Sequence, residues 1–103
     1  MSPPPFLPYG RQAVDEDDIA AVAEVLRSDW LTTGPAVERF EAALAETCGA
    51  GHVVVCANGT AALHIAALAA GLGPGDKAIV PSVTFLATAN AAHYVGAEVV
   101  FAD

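Results

Sequence analysis

Val53-Val54-Val55-Cys56-Ala57-Asn58-Gly59-Thr60-Ala61-Ala62-Leu63-His64 runs from an apolar, β-branched stretch through an Asn-Gly-Thr turn straight into an Ala/Leu helix-forming segment. A strand that feeds directly into a helix leaves the first backbone N–H groups of that helix unpaired. Those groups, with the positive end of the helix dipole, make an anion site. Gly59 lets the backbone approach an anion closely, and Thr60 adds a hydroxyl donor at the helix start. Two readings of the turn stand at this point. It is a phosphate cradle, or a plain strand-to-helix turn with Thr60 as its N-cap.

Outward from the turn, the pattern alternates. Strand-like runs at His52–Cys56, Ala78–Pro81 and Glu98–Phe101 are separated by helical segments at 60–70 and 84–95. This β-α-β-α-β order predicts parallel strands joined by right-handed crossovers, hence an α/β sheet. The first two strands are apolar throughout, which predicts burial on both faces. The helix at 60–70 is apolar nearly all round and reads as a buried element.

Upstream, residues 1–14 form a Pro-rich, extended arm. Asp15-Glu16-Asp17-Asp18 then places four carboxylates at the start of a helix over 15–28, where they complement the dipole. Ile19, Val22, Val25 and Leu26 make that helix amphipathic. Gly34-Pro35 breaks the chain, with Pro35 suited to the first helical position. A second amphipathic helix carries Val37, Phe40 and Leu44 and ends near Gly49. The expected organisation is an arm at 1–14, helices at 15–50, and an incomplete βαβαβ unit at 51–103. Gly71-Leu72-Gly73-Pro74-Gly75-Asp76 is no dinucleotide fingerprint, because it follows a helix and precedes a strand. It reads as a helix C-cap and connection.

The apolar fraction of 54% in only 103 residues exceeds what so small a domain can bury. Some faces are therefore expected to be covered by residues outside this sequence, and the chain reads as a fragment. A net charge of −8, with Arg11, Arg27, Arg39 and Lys77 as the only fixed cations, excludes a nucleic-acid face. Met1-Ser2-Pro3-Pro4-Pro5 has neither the basic nor the apolar region of a signal peptide. The longest apolar helix, Ala61 to Ala70, falls far short of a membrane span of about 20 residues. Cys48 and Cys56 read as reduced thiols, and the expected location is cytoplasmic. Cys48, His52 and Cys56 supply too few ligands for a tetrahedral zinc site. His52, His64 and His93 share no metal spacing and read as packing or surface residues.

Six stretches occur in order along nearly the whole chain: Phe6-Leu7-Pro8-Tyr9-Gly10-Arg11-Gln12, Asp29-Trp30-Leu31-Thr32-Thr33-Gly34-Pro35, Phe40-Glu41, Asn58-Gly59-Thr60-Ala61-Ala62-Leu63, Thr84-Phe85-Leu86-Ala87-Thr88-Ala89-Asn90, and Gly96-Ala97-Glu98-Val99-Val100-Phe101-Ala102-Asp103. In that order and spacing the chain resembles the amino-terminal part of the DegT/StrS-type sugar aminotransferases. The resemblance implies the N-terminal part of the large domain of the aspartate-aminotransferase-like (fold type I) α/β architecture. It also implies pyridoxal 5'-phosphate as cofactor of the full-length enzyme, a nucleotide-sugar and glutamate/2-oxoglutarate as partners, and a homodimer. The wording of Pro8–Gln12 and Leu31–Gly34 resembles the branch that aminates C4 of a UDP-linked 4-keto-6-deoxy-N-acetylhexosamine on the route to pseudaminic acid.

By the same resemblance, Gly59 and Thr60 hold the cofactor phosphate and Phe85 stacks on the pyridine ring. Tyr9, Asp29, Trp30, Leu31 and Thr32 match substrate-contacting positions. On the residues alone, Phe85 could equally be a core phenylalanine, Trp30 a packing residue at a helix end, and Tyr9 an anchor of the arm. Transamination also needs a lysine for the Schiff base and an acidic partner for the pyridine nitrogen. Lys77 is the only lysine, and it precedes the second strand, at the edge opposite Phe85. The chain is therefore expected to be inactive alone, with no catalytic residue of its own. A non-catalytic phosphate- or nucleotide-binding module, or an inert truncated product, is the alternative.

Overall fold

The structure, a computed structural model, describes Phe6 and residues 10–103. Two helices come first: α1 (Glu16–Arg27) and α2 (Pro35–Cys48). Asp15 caps α1 in a reciprocal box, its Oδ1 accepting from the N–H groups of Asp17 and Asp18 while Asp18 Oδ2 accepts from Asp15 N–H. The acidic cluster is thus spent on the helix end. Pro35 opens α2 and Gly49, at φ 64°, closes it in the left-handed conformation that glycine adopts without steric cost.

Beyond α2 the order is α3 (Gly59–Ala69), β1 (Lys77–Pro81), α4 (Ala87–Tyr94) and β2 (Glu98–Ala102). The strands are parallel, pairing Lys77 with Glu98 through to Pro81 with Ala102. Helix α4 covers one face of this pair and packs against α3. The core of the described residues is small: Val80 from β1, Ala87, Ala89, Ala91 and Ala92 from α4, and Ala97. The alanines allow α4 to lie close on the strands.

Four expectations need correction. The apolar run His52–Cys56 is extended but, among the described residues, pairs with no strand. A strand exists only where its backbone groups find a ladder partner, and the sheet of the described residues consists of β1 and β2 alone. What holds the run is a side chain, because Val55 N–H donates to Glu41 Oε1 of α2 at 3.0 Å. The βαβαβ unit is accordingly a single β-α-β crossover preceded by α3.

Burial on both sheet faces is not observed either. Val80 is buried, yet Ile79 on the opposite face is 75% exposed, because among the described residues the helix that packs on the strands is α4, on the Val80 side. Nor is α3 a buried element among the described residues, since it contains no buried residue and its main packing partner there is α4. The helix predicted at 84–95 begins three residues later, at Ala87, and Phe85 lies in the connection before it.

The accessible surface is 8635 Å² for a chain of 10.4 kDa. Folded monomers of that mass expose roughly 5,400 Å² by the usual size scaling. Much of the apolar surface that set the composition apart is therefore open. An example is the groove of about 450 Å³ along α1, lined by Val14, Asp18, Ile19, Val22, Ala23 and Leu26. Among the described residues, no helix is long and apolar enough to cross a membrane.

Candidate functional site

The turn at the start of α3 is built around Asn58, not Thr60. Asn58 is extended (φ −167°), its Oδ1 accepts from Ala61 N–H at 2.9 Å, and its carbonyl accepts from Ala62 N–H. Asparagine is among the strongest N-cap residues, so this signal is present in the sequence beside Thr60, the cap of the plain-turn alternative. The consequence concerns the two donors before Ala61. Among the described residues, the N–H groups of Gly59 and Thr60 have no hydrogen-bond partner. They stand at the positive end of an 11-residue helix, an environment that suits an anion.

Gly59 sharpens this reading. A Cβ placed on it would meet no protein atom within 4 Å. Its bareness is not demanded by packing within the chain, which leaves room for a group approaching from outside. Thr60, half-buried, follows at the second helical position with its hydroxyl as a third donor. Cys56 closes the turn from the other side, its thiol reaching Asn58 O at 3.3 Å. The arrangement fits a phosphate ester.

Phe85 is 77% exposed and takes no part in the core of the described residues. It sits where the chain leaves the Pro81/Ala102 end of the strand pair for α4, and its carbonyl accepts from Thr88 N–H at 3.0 Å. The Lys77/Glu98 pair occupies the other end of the strands. Four residues of strand at roughly 3.3 Å each separate the two ends.

Asp29, Trp30, Leu31 and Thr32 lie together in the connection between α1 and α2, all exposed. Ser28 organises that connection: its hydroxyl donates to Val25 O at 2.8 Å and accepts from Trp30 N–H at 3.2 Å. Thr33 takes a positive φ of 49°, unusual for a β-branched residue. Among the described residues, no hydrogen bond joins this connection to the start of α3. Tyr9 lies outside the described residues. His64 packs its ring against Tyr94 with centroids 5.2 Å apart, a structural contact between α3 and α4, while His52 and His93 are exposed.

Residues 12–103 match the sequence profile of the DegT/DnrJ/EryC1/StrS aminotransferase family. The chain belongs to that family. A relative from Shewanella sediminis (strain HAW-EB3), the UDP-4-amino-4-deoxy-L-arabinose–oxoglutarate aminotransferase, is 47% identical over 98 residues, 95% of this chain and 25% of the relative. Among solved structures, a sugar aminotransferase of Streptococcus pneumoniae in its PLP form superposes with a TM-score of 0.82 at 34% identity, covering 94% of this chain and 25% of that one. An aminotransferase from Psychrobacter cryohalolentis gives 0.80 at 34% identity over 96% of this chain and 25% of that one.

This member of the family thus has the α/β start of the fold type I aminotransferase architecture. It spans about a quarter of the length of the relatives it matches.

Proposed function

We propose that this segment supplies the phosphate cradle and part of the substrate wall of a pyridoxal-phosphate-dependent sugar-nucleotide aminotransferase. The observation that carries the proposal is the pair of unpartnered N–H groups at Gly59 and Thr60, ahead of the cap made by Asn58, in a chain of an aminotransferase family. Solved relatives in PLP and PMP forms support the choice of cofactor.

The N–H groups of Gly59 and Thr60 and the Thr60 hydroxyl bind the phosphate. Phe85 covers one face of the pyridine ring. Bound there, the cofactor acts as the electron sink for proton transfer at the carbon bearing nitrogen. The lysine and the acidic partner that this chemistry needs come from a part of the enzyme beyond this segment, so residues 1–103 alone are inactive. The arm at 1–14 and the helices at 15–50 form the substrate side, with residues 51–103 opening the large domain. Asp29, Trp30, Leu31, Thr32 and Tyr9 contact the nucleotide-sugar. The complete enzyme is a cytoplasmic homodimer.

The substrate we favour is a UDP-linked 4-keto-6-deoxy-N-acetylhexosamine, aminated at C4 with glutamate as donor. The wording of Pro8–Gln12 and Leu31–Gly34 supports it. A second reading, a UDP-linked 4-keto pentose, is favoured by the printed activity of the Shewanella relative. Both share the UDP group and the carbon aminated. The test is a full-length enzyme carrying this segment, given glutamate and each keto sugar in turn, with 2-oxoglutarate release as readout. Turnover of the hexosamine by preference supports the first reading and of the pentose the second. Turnover of neither overturns both.

A further inference from the structure

We infer that Ser82 and Asp103 form a positioning pair that fixes the connection carrying Phe85 at the open end of the strands. The inference rests on the proposed role of Phe85 and deepens it. The ring is 77% exposed, so packing within this chain does little to hold it. Its placement depends on how residues 82–86 are tied down.

Two side-chain ties bracket the ring. On one side, Ser82 Oγ donates to Asp103 Oδ1, while Ser82 N–H donates to Ala102 O at 3.1 Å. Both bonds continue the register of the parallel strands by one step, since Pro81 pairs with Ala102. On the other side, the hydroxyls of Thr84 and Thr88 lie 2.8 Å apart, joining the connection to the first turn of α4. Among the described residues, no other side-chain hydrogen bond reaches residues 82–86.

The first tie is the decisive one. The Thr84–Thr88 bond is local to the helix start and moves with it. The Ser82–Asp103 bond anchors the connection to a different strand, β2, and its acceptor is a carboxylate. A hydrogen bond to a charged group is the stronger kind, and losing it frees the connection from β2. A loosened connection lets Phe85 sample positions away from the cofactor ring, which weakens binding without touching the phosphate.

The experiment is a double-mutant cycle on cofactor affinity in a full-length enzyme carrying this segment, read from the fluorescence and the induced circular dichroism of bound pyridoxal phosphate. Ser82→Ala should weaken binding about three- to tenfold and reduce the dichroism, and Ser82→Thr should restore both. Asp103→Ala should match Ser82→Ala, and Asp103→Asn, which keeps an acceptor, should lie between it and the parent. In a Phe85→Ala background, Ser82→Ala should change affinity by less than about twofold, because the ring it positions is gone. An equal loss in both backgrounds would make the pair a general structural brace and overturn the inference alone. No loss from Phe85→Ala itself would overturn the stacking role and this inference together.

Discussion

Lys77 and Glu98 face each other as register partners at the first position of the two parallel strands, with Nζ 3.2 Å from Oε2. The only lysine in the chain is thereby engaged at the end of the sheet opposite Phe85. Both side chains are more than half exposed, and such pairs contribute only about 0–1 kcal/mol. Lys77→Met in a full-length enzyme carrying this segment should therefore change thermal stability little and leave cofactor binding and turnover intact. Borohydride trapping and peptide mapping provide the check. Stoichiometric label on Lys77, or loss of turnover in the variant, would show that this lysine reaches the cofactor.

A second expectation concerns Gly34, the N-cap of α2. A Cβ there would stand 2.6 Å from Trp30 Cβ and 3.3 Å from Trp30 O, closer than real contacts permit. Backbone and Cβ atoms have no rotamer in which to yield, so the connection bearing Asp29–Thr32 must shift. Gly34→Ala should destabilise by about 1–3 kcal/mol and raise KM for the nucleotide-sugar more than for glutamate. Unchanged KM values with full stability would remove this connection from the substrate wall.

Residues 1–103 alone should self-associate. Ile79 on the bare sheet face, Ile19, Val22 and Leu26 on α1, and Phe40 on α2 are all more than half exposed. Open apolar patches and unpaired strand edges are sites of association. Size-exclusion chromatography with a dye that reports apolar surface should find oligomers that bind the dye. A monomer with a sharp melting transition and no dye binding would show a self-sufficient domain instead.

Local signals carried most of this architecture. The capping carboxylates at Asp15–Asp18, the Gly34-Pro35 break and the left-handed Gly49 place α1 and α2 within a residue or two of where the sequence puts them. The parallel pairing of the strands at 77–81 and 98–102 follows from their spacing around α4. What failed was non-local. The run Val53-Val54-Val55 has every residue preference of a strand, yet pairing is a property of neighbours, and its one observed tie is Glu41. For the same reason apolar composition predicted burial of α3 and of both sheet faces, where burial depends on what else is present to cover them. At the candidate site, the helix start at Gly59 and Thr60 was legible because a helix start is local. The Ser82–Asp103 bond was not, as its partners are brought together only by strand register.

The most direct test of the account is the affinity for pyridoxal phosphate of a full-length enzyme carrying this segment, measured for the parent, Gly59→Ala and Thr60→Ala. Gly59→Ala meets no protein atom within 4 Å, so its fold should stand while the added methyl obstructs the phosphate. Thr60→Ala removes one charge-assisted hydrogen bond, worth about 1.5–3 kcal/mol, and should weaken binding by about tenfold or more, with the melting temperature of the cofactor-free protein unchanged. If both variants bind the cofactor as tightly as the parent, the start of α3 is not the phosphate cradle.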